Sequence, residues 1–216
     1  KMIGKNTSYD FIMSEINKLQ SIVNQNNINI QIHAGAEVFF NYNLTDILDN
    51  PITTIGNGLY MLIEFQTLSF PKNYEETIFQ LQTKGVTPII AHPERYRQVQ
   101  SDIGIVEQWM DRGYIIQIDC GSLLGHFRED TKKCAEKLVG AGFCHIVGSD
   151  SHNDKKRNFC LNDALNTLKK IIGKDNVDIV NSNTRRILNG DRCKAYKIKI
   201  NNKYSFFEKL KKIRKK

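Results

Sequence analysis

Apolar positions along the chain follow two periodicities, one helical and one typical of strands. Within residues 8–25 apolar side chains recur every three to four positions, which predicts a first helix. Residues 28–32 alternate isoleucine with polar residues and predict a strand, and the almost continuous apolar run at 59–65 predicts a buried strand. The chain therefore begins as a mixture of helix and strand.

The same two patterns alternate over the rest of the chain. Further strands are predicted at residues 86–91, 114–118 and 143–147, and further helices at 73–84, 103–112, 130–141, 158–172 and 184–188. Asn73 is a candidate cap, and glycines follow most of the helices. Apolar strands joined by crossover helices predict an α/β fold with a parallel sheet covered on both faces.

Composition and charge divide the chain into two parts. The 216 residues suffice for one domain, and no apolar run approaches the roughly 20 residues of a membrane span. The net charge is +8, but residues 194–216 hold nine Lys, one Arg and one Glu, so the preceding residues carry −1. We therefore expect a domain at 1–193 followed by a basic tail at 194–216.

The five cysteines suit neither a disulfide framework nor a zinc ribbon. Their number is odd and no pair is spaced Cys-x-x-Cys, so buried reduced thiols in a cytoplasmic protein are expected. No cysteine is followed six positions later by arginine, which excludes the signature of thiol-based tyrosine phosphatases.

Acids and histidines recur where the predicted parallel strands stop. They are Glu37, Glu64, His92, Asp119, Asp150 and His152. Taken singly, Glu37 suits a cap or solvated loop, His92 a core histidine, and Asp150 with His152 a helix cap. Active sites of α/β barrels form at the carboxyl ends of the strands, and a buried unpaired glutamate such as Glu64 is rare. The recurrence at one end favours a metal site.

Other candidates are weaker. Asp119 suits either a ligand-orienting role or a capping role, His126 lies in a loop that could reach the mouth of the site, and His145 suits the core.

Two histidine motifs carry a resemblance to a known family. They are Ala-His-Pro-Glu-Arg-Tyr at 91–96 and Gly-Ser-Asp-Ser-His-Asn at 148–153, supported by Gly-Ala-Glu at 35–37 and Arg-Ile-Leu-Asn-Gly at 186–190. Over about residues 7–192 the chain resembles metal-dependent phosphatases of the polymerase and histidinol phosphatase (PHP) superfamily, which regulate bacterial capsule and exopolysaccharide synthesis.

The resemblance implies a fold and a metal centre. The fold would be a distorted (β/α)7 PHP barrel, and the metal ligands would be Glu37, Glu64, His92, Asp150 and His152, with Glu37 bridging. Up to three ions are implied in a complete centre, with Mn²⁺ expected and Fe or Zn as alternatives. Arg95 and Arg157 match the two arginines that assist phosphate binding.

One departure concerns the start of the chain. The family opens with a strand bearing Asp-x-His-x-His, and a Thr-Pro-His follows later; neither is present here. We therefore expect the first one or two βα units of the barrel to be missing from this chain, through truncation or through degeneration.

The resemblance implies a protein-tyrosine phosphatase that uses a metal-activated hydroxide. Its substrate would be phosphotyrosine on a protein, expected to be a bacterial tyrosine kinase of polysaccharide synthesis. Two alternatives remain open: a small-molecule phosphatase acting on histidinol phosphate, and an inactive PHP interaction module without the N-terminal histidines.

The basic tail has its own alternatives. Its apolar residues Phe206, Phe207, Leu210 and Ile213 lie among lysines, a pattern that suits a solvated disordered tail or a short amphipathic helix on an anionic membrane. Nucleic acid is not an expected partner, because no aromatic stacking motif accompanies the charge. The expected location is cytoplasmic, with membrane association as an alternative.

Overall fold

The computed structural model describes residues 8–155 and 157–196, which contain five β-strands and eight α-helices. The strands are β1 Glu37–Phe39, β2 Tyr60–Glu64, β3 Thr87–Ala91, β4 Ile115–Asp119 and β5 Ile146–Gly148. The helices are α1 Tyr9–Gln25, α2 Tyr74–Thr83, α3 Arg97–Ser101, α4 Gly104–Asp111, α5 Cys120–Leu124, α6 Glu129–Gly140, α7 Leu161–Ile172 and α8 Lys174–Asn189.

The strands form one sheet in the order of the chain, β1-β2-β3-β4-β5, and every pairing is parallel. Each crossover between neighbouring strands must return to the same end of the sheet. The carboxyl ends of all five strands therefore lie along one edge. The predicted α/β fold with a parallel sheet is confirmed.

The two faces of the sheet bury different amounts of apolar surface. One face carries the larger cluster, in which strand residues such as Ile63, Ile90 and Ile116 pack with Leu81, Trp109 and Leu138 from α2, α4 and α6.

The other face carries a small cluster, which is covered by Ile187 of α8 and consists of Tyr60, Ile89, Ile115 and Ile146. Side chains alternate between faces along a strand, so Glu64 shares the smaller face with Tyr60.

The strand predicted at residues 28–32 is wrong. Ile28 and Ile30 are exposed, and the segment follows α1 through the side chain of Gln20, which binds the carbonyl of Ile30 and the N–H of Ile32. The first strand instead begins at Glu37, so this residue starts a strand rather than following one. Alternation of apolar residues produced the error because it does not report whether a partner strand is present.

The first and the last helix can be compared with their predicted extents. α1 matches its predicted extent, yet none of its residues is buried. α8 is longer than the predicted 184–188, since it begins directly after Gly173, whose φ is +80°. None of the helices in the described ranges combines the length and apolar character that crossing a bilayer requires.

The described chain ends in contact with the domain. Asn183 of α8 binds the backbone of Lys194 in both directions, at 2.8 Å, and the buried Tyr196 donates its hydroxyl to the carbonyl of Val139 at 2.7 Å. The prediction of a basic tail falls largely on residues 197–216, which lie outside the described residues.

Candidate metal centre

Three of the five predicted metal ligands meet at the carboxyl edge of the sheet. Glu37 pairs with Leu62 in the β1–β2 register, and Leu62 points to the same face as Glu64 two residues later. His92 directly follows β3 and reaches both acids. Its Nε2 lies 3.1 Å from Glu37 Oε1 and 3.5 Å from Glu64 Oε1.

The local backbone explains how His92 turns into the site. Its φ is +32°, in the left-handed region that histidine rarely adopts, and Pro93 follows it. A 3-10 turn at Pro93–Arg95 then carries the chain to Tyr96, whose buried hydroxyl donates to the carbonyl of Ala91 at 2.7 Å. The same oxygen accepts the N–H of Phe65 at 3.0 Å, so Tyr96 joins the ends of β2 and β3.

The surroundings of Glu64 change the pKa of its carboxyl group. Glu64 is half-buried, and this burial raises its pKa above the ordinary value, with the neighbouring Glu37 raising it further. His92 acts in the opposite direction and lowers the pKa of Glu64. Two acids held this close to one imidazole favour a cation between them, because each ionised carboxylate otherwise repels the other.

The donor set fits a divalent metal ion. Ligand atoms of Glu37, Glu64 and His92 all lie within 4.8 Å of one another. His92 is buried; within the described part of the chain its Nδ1 has no partner, and its Nε2 lies beside Glu37 and Glu64 without hydrogen-bond geometry. A buried imidazole normally has such partners, and a nitrogen-plus-carboxylate set suits Mn, Fe or Zn. The orphaned ring is the observation that carries the fit.

A second polar cluster adjoins the first. Asp150 follows β5, and its Oδ2 pairs with Arg95 at 2.9 Å and with Arg157. Arg95 also pairs with the buried Asp119 at the end of β4. The two predicted phosphate-binding arginines therefore converge on one carboxylate oxygen.

The two clusters share one electrostatic environment. Asp150 raises the pKa of Glu64 and Arg95 lowers it, although both contribute less than burial, Glu37 and His92. Asp150, like His92, has a positive φ, here +44°. Backbone strain of this kind concentrates at functional sites, where surrounding contacts compensate for it.

His152 lies at the exposed side of the second cluster, where its Nδ1 is 3.6 Å from Asp150 Oδ1. Its side chain is 52% exposed, and its Nδ1 lies 2.8 Å from the backbone carbonyl of Asp150. The described residues that could hold an ion together do not include it. Its role as a ligand remains a prediction.

Two buried acids, Asp119 and Glu94, lie next to the residues of the site. Asp119 caps α5 by accepting the N–H of Gly121 at 2.7 Å, which confirms the capping role considered from the sequence, and it also pairs with Arg95. Glu94 is fully buried and accepts the N–H of Asp119 at 3.0 Å. Burial raises the pKa of Glu94 to about 7. The sequence interpretation missed Glu94, although a glutamate inside the Ala-His-Pro-Glu-Arg motif was the available signal.

The thiols are unsuited to nucleophilic catalysis. All five cysteines are free, and four of them are buried. Burial raises the pKa of Cys120 and of Cys134 to about 12 and that of Cys193 to about 11. A nucleophilic cysteine needs a lowered pKa. The expectation of buried, unpaired thiols is confirmed for Cys120, Cys134, Cys144 and Cys160.

A sequence model of the family described as capsular polysaccharide synthesis, CpsB/CapC, matches residues 1–189. The chain belongs to the CpsB/CapC family. This membership confirms the resemblance inferred from the two histidine motifs.

Relatives of this CpsB/CapC chain carry names that describe their activity. It is 34% identical over 143 residues to the tyrosine-protein phosphatase YwqE of Bacillus subtilis, covering 66% of this chain and 56% of YwqE. It is 27% identical over 161 residues to the tyrosine-protein phosphatase CpsB of Streptococcus pneumoniae, covering 71% of this chain and 66% of CpsB. The CpsB/CapC chain thus spans little more than half the length of YwqE.

A solved structure shares the fold. The superposition has a TM-score of 0.78 with 29% sequence identity, and it covers 85% of the CpsB/CapC chain and 74% of the other chain. That structure comes from work on YwqE of B. subtilis and CpsB of S. pneumoniae, described as metal-dependent tyrosine phosphatases.

Proposed function

We propose that this protein is a metal-dependent phosphoesterase that removes phosphate from tyrosine side chains of a protein. The observation that carries the proposal is the convergence of Glu37, Glu64 and His92 beside two arginines that share Asp150. The names of YwqE and CpsB support the reaction. The capsule-synthesis family supports a bacterial tyrosine kinase of polysaccharide synthesis as the substrate.

In this proposal Glu37, Glu64, His92, Asp150 and His152 would hold the metal. Mn²⁺ is the proposed ion, Fe and Zn are the alternatives, and a complete centre holds up to three. Such an ion lowers the pKa of water and neutralises phosphate charge. Glu37 and Glu64 would contribute negative charge that holds the ion, and the buried His92 would contribute an imidazole nitrogen held in place by its left-handed backbone.

Arg95 and Arg157 hold the phosphate in this proposal. Both guanidinium groups already lie around one carboxylate oxygen of Asp150, an arrangement that also suits the oxygens of a phosphate. Asp119 keeps Arg95 at the carboxyl edge of the sheet. Charge develops on the equatorial phosphate oxygens during transfer, so two fixed arginines there stabilise the transition state more than the bound substrate.

The chemistry of the leaving group favours tyrosine. A phenol has a solution pKa of ~10, so phenolate needs less protonation than the alkoxide of serine or threonine. The elevated pKa values of the cysteines, with burial as the main cause, agree with a mechanism in which no thiol takes part.

Three finer proposals concern the whole protein. The parallel sheet would form part of a distorted (β/α)7 PHP barrel, which the superposition on the YwqE/CpsB structure supports. The protein would act in the cytoplasm, where a bacterial tyrosine kinase presents its phosphotyrosines. The basic tail at residues 194–216 would be solvated or, as the alternative, would contact an anionic membrane surface through its lysines.

Metal content and phosphotyrosine turnover test the proposal together. The chain is equilibrated with Mn²⁺ and dialysed, bound metal is counted, and phosphate release from a phosphotyrosine peptide is followed. We expect bound metal and phosphate release in the wild type. Glu37→Gln should weaken metal binding more than about tenfold, because the amide lacks the ligand's charge.

Glu75→Gln is the matched control for that experiment. Glu75 is an exposed acid on α2 that pairs with Arg112 at 2.6 Å. Its replacement by Gln should leave metal binding and phosphate release unchanged. A folded wild-type chain that binds no metal and releases no phosphate would overturn the enzyme proposal and favour an interaction module.

A further inference from the structure

Phe127 lies beside the candidate site because α5 is short and ends in a sharp turn. The helix spans Cys120–Leu124 and stops at Gly125, whose φ is +80°. The N–H of His126 then donates to the carbonyl of Gly121 at 2.9 Å, which folds the chain back toward the start of α5. Phe127 follows this turn and packs on the same end of the helix.

The ring of Phe127 is held closely at that position. A Cβ placed on Gly121 would lie 3.1 Å from Cε2 of Phe127, so the absence of a side chain at residue 121 leaves room for the ring. The side chain nevertheless remains 38% exposed. An aromatic ring is therefore fixed against backbone on one side and accessible on the other.

Phe127 also contacts one of the proposed phosphate-binding residues. The guanidinium carbon of Arg95 lies 4.3 Å from the centroid of its ring, a cation–π contact. Among the described residues Arg95 also pairs with Asp119 and Asp150, so its guanidinium group lies between two carboxylates and this ring. The exposed ring and the phosphate-binding group are neighbours.

A phosphate monoester bound at Arg95 carries its organic group next to the phosphorus atom. If that group is a phenyl ring, it comes within reach of an aromatic side chain that touches the same guanidinium. Two aromatic rings with centroids about 4.5–7 Å apart attract each other beyond the effect of area burial. An alkyl group gains no such interaction.

We propose that Phe127 is a specificity-determining residue that contacts the aromatic ring of phosphotyrosine. The inference rests on the proposed function, because it places the substrate's phosphate at Arg95. It adds that Phe127 makes the site prefer aryl over alkyl phosphate monoesters. The loss of a single aromatic pair corresponds to about three- to tenfold in affinity.

A purely supporting role for Phe127 has a different signature. If the ring only holds Arg95 in place, its removal weakens every phosphate compound by the same factor. If the ring touches the substrate, its removal weakens aryl compounds more than alkyl compounds. The ratio of the two affinities therefore separates the two roles.

The test measures dissociation constants of phenylphosphonate and ethylphosphonate, which are not hydrolysed, for the chain in the presence of Mn²⁺. We expect wild type to prefer phenylphosphonate, and Phe127→Leu to reduce that preference about three- to tenfold. Phe127→Trp should keep the preference, because it retains an aromatic surface. Circular dichroism establishes that each variant is folded.

Phe79→Leu is the matched control, since Phe79 is also an exposed phenylalanine. It lies on α2 in a cavity with Arg112 and Tyr114, near the amino end of β4, and its replacement should leave the ratio unchanged. An unchanged ratio in Phe127→Leu, or equal weakening of both phosphonates, overturns the inference. So does a Phe127→Trp variant that behaves like Phe127→Leu. A wild type that binds neither phosphonate overturns the proposed function as well.

Discussion

His145 is a titratable side chain buried at the amino end of β5, opposite the edge that carries the candidate metal centre. Its ring Nδ1 accepts the backbone N–H of Ile116 at 3.1 Å. The backbone N–H of His145 donates to the carbonyl of Ile116 at 2.9 Å. Burial lowers the pKa of His145 from 6.5 to about 4. The folded protein therefore holds this imidazole neutral, and the expected core role is confirmed.

This burial makes stability depend on pH. Between pH 6.5 and about 4 the unfolded chain binds a proton at His145 that the folded chain does not. The stability contributed by the neutral imidazole is complete above pH 6.5 and is lost as the pH falls toward the folded value. From about pH 7 to pH 5 this group should remove about 2 kcal/mol from the free energy of unfolding.

Urea denaturation of wild type and His145→Asn at these two pH values measures the effect. Asparagine keeps an acceptor close to the position of Nδ1, so the bond to Ile116 is retained, but it does not titrate. The variant should lose about 2 kcal/mol less than wild type on acidification. Parallel losses in the two proteins would contradict the assignment.

At the scale of single residues, the sequence singled out Glu64 and His92 of the candidate site but not Glu94 or Phe127, which lie beside it. Glu64 and His92 stand out as ionisable groups beside apolar strands, where an unpaired charge is costly. Phe127 has no such signal, because an exposed phenylalanine in a loop is ordinary. Its proximity to Arg95 depends on the turn at Gly125, which brings together residues that are distant in sequence.

At the scale of elements, the predicted helices other than α8 and the later strands lie close to those observed, because burial on one face produces a periodic pattern of apolar residues. The error at residues 28–32 shows the limit of that pattern. A strand needs a hydrogen-bonded neighbour, whereas alternation is local, and here Ile28 and Ile30 are exposed. β1 has three residues, too few for any periodicity to reveal.

The connection between α8 and the sheet depends on Gly56, which precedes β2. Its φ is +65°, and a Cβ there would lie 2.1 Å from the carbonyl oxygen of Ile187 near the end of α8. We expect Gly56→Ala to lower the free energy of unfolding by about 3 kcal/mol or more, because the backbone must move as well as adopt a left-handed conformation. Thermal or urea unfolding measures the loss.

Gly58→Ala is the control for this contact. Gly58 has a φ of +87°, but a Cβ there meets no atom within 4 Å. Its replacement should cost about 1 kcal/mol, from the left-handed backbone alone. Equal losses in the two variants would show that the approach of α8 to Gly56 contributes nothing.

At the scale of the whole molecule, the distribution of ionisable groups separates two kinds of tyrosine phosphatase. The buried thiols have raised pKa values, whereas acids and an imidazole converge at the sheet edge. Iodoacetamide at neutral pH should therefore leave turnover of an aryl phosphate unchanged, while EDTA abolishes it and added Mn²⁺ restores it. Inactivation by iodoacetamide with resistance to EDTA would contradict the metal mechanism.

The location of the candidate site could be predicted because parallel strands share one carboxyl edge. Glu64 and His92 meet there as expected and Arg95 and Arg157 converge on Asp150, whereas Glu37 joins them from the first residue of β1 rather than from the end of a strand. The position of the exposed His152 could not be predicted, because it follows β5 in a loop whose path depends on backbone contacts with Arg157. Pairing within the sheet determines where strand ends lie, whereas the path of a loop depends on its individual local contacts.

The pairing of β1 with β2 has a consequence for assembly. Glu37 and Val38 occupy opposite faces, with Val38 in the larger core. A register shift of one residue would place the carboxylate of Glu37 in the apolar core and turn Val38 toward the candidate metal centre. One misaligned register would thus remove a core contact and a proposed metal ligand together. Metal affinity should therefore report whether β1 has paired with β2 in the correct register.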